Sequence, residues 1–237
     1  MTYSDLVASA PPGAAEFKAA DLGRLPVEVL EAGVARMPPD ERRLYERADP
    51  GAVERLVRSL FWDLVYHLRP ERWDALSRAE PIHPAVLAEL PAEGVRVLEV
   101  AAGSGRLTEY LAARARMLIA IEPVEPLRAI LAERLPAVAV LDSRADDIPV
   151  PNGWADLTVS CASLGPEDAP FRELERCTRA GGTLALISPR QPEWFAAKGW
   201  RLLSFDPAGV EIPPHDPGLE AFFGPLDPPH LLLLRTV

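Results

Sequence analysis

Two glutamates and two glycines carry the most chemistry in this sequence. Glu99 sits near the end of an apolar run, VRVLEV (Val95 to Val100), and the chain then turns through A-A-G-S-G with Gly103 and Gly105. Glu122 closes the next apolar run, MLIAIE (Met117 to Glu122). Glycines allow a tight turn and let a ligand approach the backbone with no Cβ in the way. A helix opening after such a turn aims its free N–H groups at whatever occupies it. An acid at the end of the second strand is suited to accept both hydroxyls of a ribose. Alone it reads equally well as a solvated strand end; the upstream turn favours the ribose. The dinucleotide fingerprint wants a third glycine, and here that position is Thr108. Glu99 would also set like charge against a pyrophosphate. A ligand with a positive amino group and a sulfonium suits the pair better.

These residues need elements to hold them. Val53, Leu56, Val57, Leu60, Phe61, Leu64, Val65 and Leu68 recur at helical spacing, which predicts one continuous helix preceded by Pro50 and Gly51. Shorter helices are expected at 27–36, 40–47 and 71–79, with no strand pattern before residue 90. From there strands and helices alternate. Strands are expected at 95–100, 117–122, 138–142, 156–162, 183–188, 201–205 and 230–237; helices at 105–115, 126–134 and 171–179. Apolar runs of this length fit strands buried on both faces. The fold class is therefore α/β: a Rossmann-like, doubly wound, mostly parallel seven-stranded sheet with an antiparallel edge strand. Residues 1–82 form a helical lid or extension, and 83–237 the ligand-binding domain.

The residues carry a resemblance. VLEVAAGSGRLTEYL resembles the first motif of class I methyltransferases, in the type 11-like branch that includes quinone-biosynthesis methyltransferases. MLIAIEPVEPLRAIL is similar to their second strand with its ribose-binding acid. SRADDIPVPNGWADLTVSCASL is similar to their adenine-side loop and fourth strand, and FRELERCTRAGGTLALISP to their fifth-strand approach. The resemblance implies S-adenosylmethionine as cofactor. It implies that Glu99 holds the methionine amino group, while Ala101, Gly103 and Gly105 line the methionine and ribose side. Glu122 would bind the ribose hydroxyls, with Pro123 near adenine. Ala145 would offer backbone to the adenine edge with Asp146 nearby, and Ser160 and Cys161 would lie beside the reacting methyl. Ala101 stands where the family commonly has glycine, which a negative φ accommodates. Arg144 stands where many relatives have an aspartate, and an arginine has only donors; Asp146 or Asp147 could substitute.

Methyl transfer from a sulfonium is an in-line displacement governed by position and orientation, so no dedicated catalytic motif is expected. A base is needed only where the acceptor must lose a proton. The candidates for such a role are His83, which precedes Pro84, and Tyr66. Asp63 and Glu80 rank below them, and Arg106 and Arg172 read as solvated helix faces. Trp62, Tyr66 and Trp73 could line a lid over an aromatic or lipid-like acceptor, although the same spacing belongs to ordinary core stripes.

The net charge of −10 argues against nucleic acid as main partner. The end of the fourth strand lacks the Asn/Asp-Pro-Pro-aromatic element of amino-group DNA methyltransferases. Both features point to a small-molecule acceptor. No metal site is expected, since the four histidines are isolated and Cys161 and Cys177 lack ligand spacing. No secretory signal or membrane span is read, so the cytoplasm is the expected compartment, with a homodimer possible. The function expected is a small-molecule methyltransferase. Its alternatives are a catalytically inactive methyltransferase-like scaffold and a nucleotide-binding oxidoreductase.

Overall fold

The computed structural model describes residues 2–237 and separates into two compact units. The chain up to Leu76 forms one unit with Pro214–Leu226; Ser77–Pro213 and Asp227–Val237 form the other. The boundary expected at 82/83 thus lies a few residues earlier, inside a helix. Residues 214–226 belong with the helical unit because Phe222 is buried in its core.

That unit contains α1 (Tyr3–Ala8), α2 (Ala19–Leu22), α3 (Val27–Ala35), α4 (Pro39–Glu46), α5 (Pro50–Ser59), α6 (Phe61–Leu68) and most of α7 (Pro70–Ala79), together with the helix Pro217–Phe223. Its core gathers Phe17, Leu56, Leu60, Phe61, Leu64 and Phe222. The stripe from Val53 to Leu68 forms two helices rather than one. The first starts at Pro50, because Asp49 accepts the Ala52 N–H at 2.9 Å and proline fits a first turn that needs no donor. Leu60, at φ −100° and ψ 15°, then bends the chain. Its N–H still reaches the Leu56 carbonyl (3.0 Å) and its carbonyl accepts from Leu64 (2.9 Å), so the apolar stripe survives the bend.

In the second unit the order is α8 (Pro84–Ala88), β1 (Arg96–Val100), α9 (Thr108–Ala112), β2 (Met117–Ile121), α10 (Glu125–Arg134), β3 (Ala139–Leu141), β4 (Ala155–Cys161), α11 (Asp168–Cys177), β5 (Thr178–Ile187), α12 (Pro192–Ala196), β6 (Arg201–Ser204) and β7 (Leu231–Thr236). The sheet order is β3-β2-β1-β4-β5-β7-β6. All neighbours from β3 to β5 are parallel. β7 runs antiparallel to both β5 and β6. The seven-stranded, mostly parallel sheet with an antiparallel pair at one side is the architecture expected from the sequence. The reversed strand is β7, one in from edge strand β6.

Both faces are covered. Leu98, Val100 and Leu184 pack with Leu174 of α11 and Phe195 of α12, while Val97, Leu157 and Val159 pack with Val86 of α8 and Leu111 of α9. From β1 the chain proceeds to β2 and β3 on one side, then to β4 and β5 on the other. The switch point falls between β1 and β4, where open α/β sheets bind ligands at their carboxyl ends.

Candidate functional site

The turn after β1 is fastened to the end of β2. The Ala102 N–H donates to the Ile121 carbonyl at 3.0 Å, and the Gly103 N–H donates to Glu122 Oε2 at 2.7 Å. Gly103 (φ 58°) and Gly105 (φ 105°) occupy the left-handed region. A Cβ on Gly105 would also meet Leu131 Cδ1 at 2.7 Å. Ala101 shares the conformation, at φ 58°, which corrects the expectation of a negative φ there. Bending back from β1 towards β2 imposes it. Ala162 (φ 54°) and Ser188 (φ 40°) repeat the geometry, so the residue just past β1, β4 and β5 is in each case strained. Such strain costs roughly 1–2 kcal/mol per residue and concentrates at functional edges.

Glu122 follows β2 and is 4% exposed. Its Oε1 accepts from the Val124 N–H at 2.9 Å, and Arg128 donates to its carbonyl at 2.8 Å. Burial pushes its carboxyl upward, against the two backbone N–H donors. Both oxygens are held in place, yet a carboxylate offers about four acceptor sites. A carboxylate fixed in this way can accept a further pair of hydroxyls.

Glu99 projects to the same face as Val97, by the two-residue alternation of a strand. It is 2% exposed. Burial pushes its carboxyl up to about 8, the Thr108 hydroxyl opposing this and the charge of Glu122 adding to it. Among the described residues Glu99 Oε2 and Ser104 Oγ are buried with no hydrogen-bond partner, and the Thr108 hydroxyl, which makes no hydrogen bond of ordinary geometry, acts on the Glu99 carboxyl. A buried polar atom without a partner costs about 1–3 kcal/mol. Such atoms beside one glycine turn suit polar groups brought from outside the chain.

At the end of β4, Ser160 Oγ lies 2.6 Å from Ser163 Oγ. Arg106 Nη2 donates to Cys161 Sγ at 3.8 Å, and Nη1 to the Glu80 carbonyl at 3.0 Å. Arg106 also pairs with Glu80 Oε2 at 3.5 Å, with their side chains 13% and 15% exposed. Arg106 is therefore not a solvated helix face; the turn holds it inward against Glu80. Arg172 is exposed, as expected.

Pro123 is exposed beside Glu122, and Ala145 packs on the sheet's core. Arg144 points outward, its side chain 75% exposed, and donates to Asp146 at 3.1 Å. His83 caps α8, its Nδ1 accepting from the Ala85 N–H at 3.0 Å, and its ring stacks on Phe205 at 5.4 Å. Ring and cap thus have structural tasks. Tyr66 lies in the helical unit, in an aromatic cluster with Trp62 and Trp73. Trp62 stacks on Phe223 at 5.8 Å. The sequence reading missed Thr108 and Ser104 as site residues; their signal was polarity in the two turns that follow Glu99. Among the described residues no group of three or more His, Cys, Asp or Glu could hold a metal. No helix of the described residues is long and apolar enough to cross a membrane.

A family model described as a methyltransferase domain matches residues 97–182, from β1 into β5 and across both glutamates. Uncharacterized methyltransferases of Mycobacterium tuberculosis and Mycobacterium bovis are 31% identical to this chain over 118 residues, 48% of this chain and 48% of theirs. The 2-methyl-6-phytyl-1,4-hydroquinone methyltransferase of Arabidopsis thaliana is 26% identical over 147 residues, 58% of this chain and 43% of that protein. The chain thus spans about half the length of the curated relatives it matches. A chain of the solved complex between the Haloferax volcanii Trm112 methyltransferase activator and a methyltransferase superposes with a TM-score of 0.51. It is 16% identical, over 71% of this chain and 93% of that one. At that identity the likeness is one of fold.

Proposed function

We propose that this chain is an S-adenosylmethionine-dependent methyltransferase acting on a small molecule. The observation that carries this reading is the pair of buried carboxylates at adjacent strand ends. Glu122 is fixed by two backbone amides, and Glu99 Oε2 meets no donor among the described residues. Together with the unpartnered hydroxyl of Ser104 and the neighbouring hydroxyl of Thr108, they fit a nucleoside that brings its own donors.

Glu122 would accept the ribose hydroxyls, and Glu99 the methionine amino group. The backbone of Ala101, Gly103 and Gly105 would line the space between. Pro123, Ala145 and Asp146 would flank the adenine; Arg144, turned out to Asp146, does not crowd it. Ser160 and Cys161 would border the reacting centre. Bound S-adenosylmethionine supplies an electrophilic methyl with a thioether as leaving group. The protein's part is to orient, and such positioning supplies most of the acceleration in a displacement of this kind. Glu99 would give up its proton when an ammonium group arrives, so affinity would rise with pH towards about 8.

The net charge of −10 and the Ser160–Ser163 sequence at the end of β4 support a small acceptor. So does a relative whose name specifies a hydroquinone. Isothermal titration with S-adenosylmethionine and S-adenosylhomocysteine tests the reading. Both should bind, and Glu122→Ala should weaken both about a hundredfold, the value of two charge-assisted hydrogen bonds. Unchanged affinity in the variant would overturn it. Transfer of labelled methyl to hydroquinones, but not to tRNA, would establish the acceptor class.

A further inference from the structure

We propose that the sheet-bearing unit carries a second small-molecule site, for a planar aromatic anion, in the cleft between α11 and α12. A cavity of about 300 Å³ opens there. That is the lower end of the range for small-molecule pockets, with room for one or two fused rings and not for a nucleoside cofactor. Its residues belong to α11, α12, the approach to β6, and β7. None belongs to the turn after β1 or the end of β2, so the inference does not rest on methyl transfer.

The walls are aromatic. Phe171, Trp194, Phe195 and Trp200 line the cavity. Phe195 meets Phe171 at 5.2 Å, Trp200 at 5.7 Å and Trp194 at 4.9 Å, each edge to face. Phe195 and Trp200 are buried and hold α11 and α12 to the sheet. Phe171 and Trp194 are only half-buried. They present more ring surface to the cavity than packing requires, and ring surface is what a flat ligand stacks on.

The rim is cationic. Arg235 lies over Trp200 at 5.0 Å and is bonded to Glu175. Lys198 lies over Trp194 at 4.2 Å and has no carboxylate partner among the described residues. Arg172 is exposed and has no partner among them. Asp168 and Glu175 are the acids in the lining, and Glu175 is committed to Arg235. With Arg235 and Glu175 paired, Arg172 and Lys198 outweigh Asp168 by one positive charge at the mouth, on a chain whose net charge is −10. Such a rim repels cations. It suits a carboxylate, which the planar fork of Arg172 can take bidentately while Lys198 adds a point charge. Ring surface in the walls together with the Arg172 guanidinium in the lining suits an aromatic acid.

The probe is 2-naphthoate, titrated into the full chain by calorimetry and by quenching of tryptophan fluorescence, with 2-naphthylmethylamine as the cationic control. One equivalent of naphthoate should bind saturably, with Kd on the order of 0.1–1 mM as expected of so small a ligand. Arg172→Glu with Lys198→Glu, both exposed positions, should weaken it at least about tenfold. Trp194→Ala should reduce the quenching to the part that Trp200 contributes and weaken naphthoate binding in calorimetry, with circular dichroism checking the fold. Saturating S-adenosylhomocysteine should leave naphthoate binding unchanged. Absence of saturable binding would overturn the proposal, as would tighter binding of the amine, equal affinity in the charge-reversed variant, or competition with S-adenosylhomocysteine.

Discussion

The two ends of the same parallel strands treat carboxylates in opposite ways. At the carboxyl ends of β1 and β2, Glu99 and Glu122 are buried, and burial drives both upward. Among the described residues neither carboxyl makes an ion pair, Arg128 donating to the Glu122 carbonyl and pairing with Asp142 instead. At the amino ends of β1 and β4, Asp156 is surrounded by donors. It accepts the Arg96 N–H at 2.9 Å and Arg179 Nε at 2.6 Å. These contacts, the Arg96 N–H first, hold its carboxyl well below the usual carboxylate range. Nearby in the chain, Glu173 is lowered to about 2, chiefly by Arg176, which grips it at 2.7 and 2.8 Å. One end satisfies its own charges and so stabilises the fold. The other leaves polar atoms unmet and so retains the capacity to bind. The difference separates scaffold from site with no reference to any relative.

The largest test of this contrast is Glu99→Gln. The wild-type carboxyl titrates near 8 in the folded chain but near the ordinary 4.5 when unfolded. Its favourable protonated state is fully available below pH 4.5, and stability is lost as pH rises through 8. The neutral amide of the variant would carry no such penalty. Urea unfolding at pH 8 should show the cofactor-free variant more stable by on the order of 3 kcal/mol, with the gap closing by pH 5. Its affinity for S-adenosylmethionine should fall at the same time. A variant less stable at pH 8 would contradict the unmet state of Glu99.

Asp156→Ala probes the opposite end. Removing the acceptor of two arginines should destabilise the chain by about 2 kcal/mol at pH 7 while leaving cofactor affinity unchanged. Because the folded carboxyl is depressed, that contribution exists above the ordinary carboxylate pKa and disappears as pH falls below it. Melting curves of wild type and variant should converge on acidification.

Ala101→Gly would remove the methyl group from a left-handed position at φ 58°. It should raise stability by about 1 kcal/mol in thermal unfolding, with binding retained. Thr108→Val replaces the buried hydroxyl beside Glu99, which makes no hydrogen bond of ordinary geometry, by a methyl of similar shape. Urea unfolding should show it neutral or up to about 1 kcal/mol more stable, and calorimetry should show weaker cofactor binding. A Thr108 change that left binding intact would confine the polar site to the two glutamates.

Much of this was legible in the sequence, for reasons that can be named. Parallel strands buried on both faces write continuous apolar runs, and VRVLEV and MLIAIE are such runs, with the two candidate glutamates next to the end of the first and at the end of the second. Gly103 and Gly105 were legible because left-handed backbone selects glycine. Short helices were not: α8, α12 and Pro217–Phe223 hold one or two turns and show no period. Arg106 lies in the turn before α9, and nothing local in the sequence points to Glu80, 26 residues away, whose carbonyl accepts from it. The strain at Ala101 was equally hidden, since alanine carries no conformational signature.

Local sequence determined which segments form strands and where the chain turns, because alternation, apolar runs and glycine act over a few residues. Only the folded sheet decided which polar atoms are left without partners. Burial and hydrogen bonding depend on what arrives from distant parts of the chain: Arg96 and Arg179 reach Asp156, but among the described residues no donor bonds Glu99 Oε2. The capacity to bind resides in that difference, which exists only once the strands are side by side.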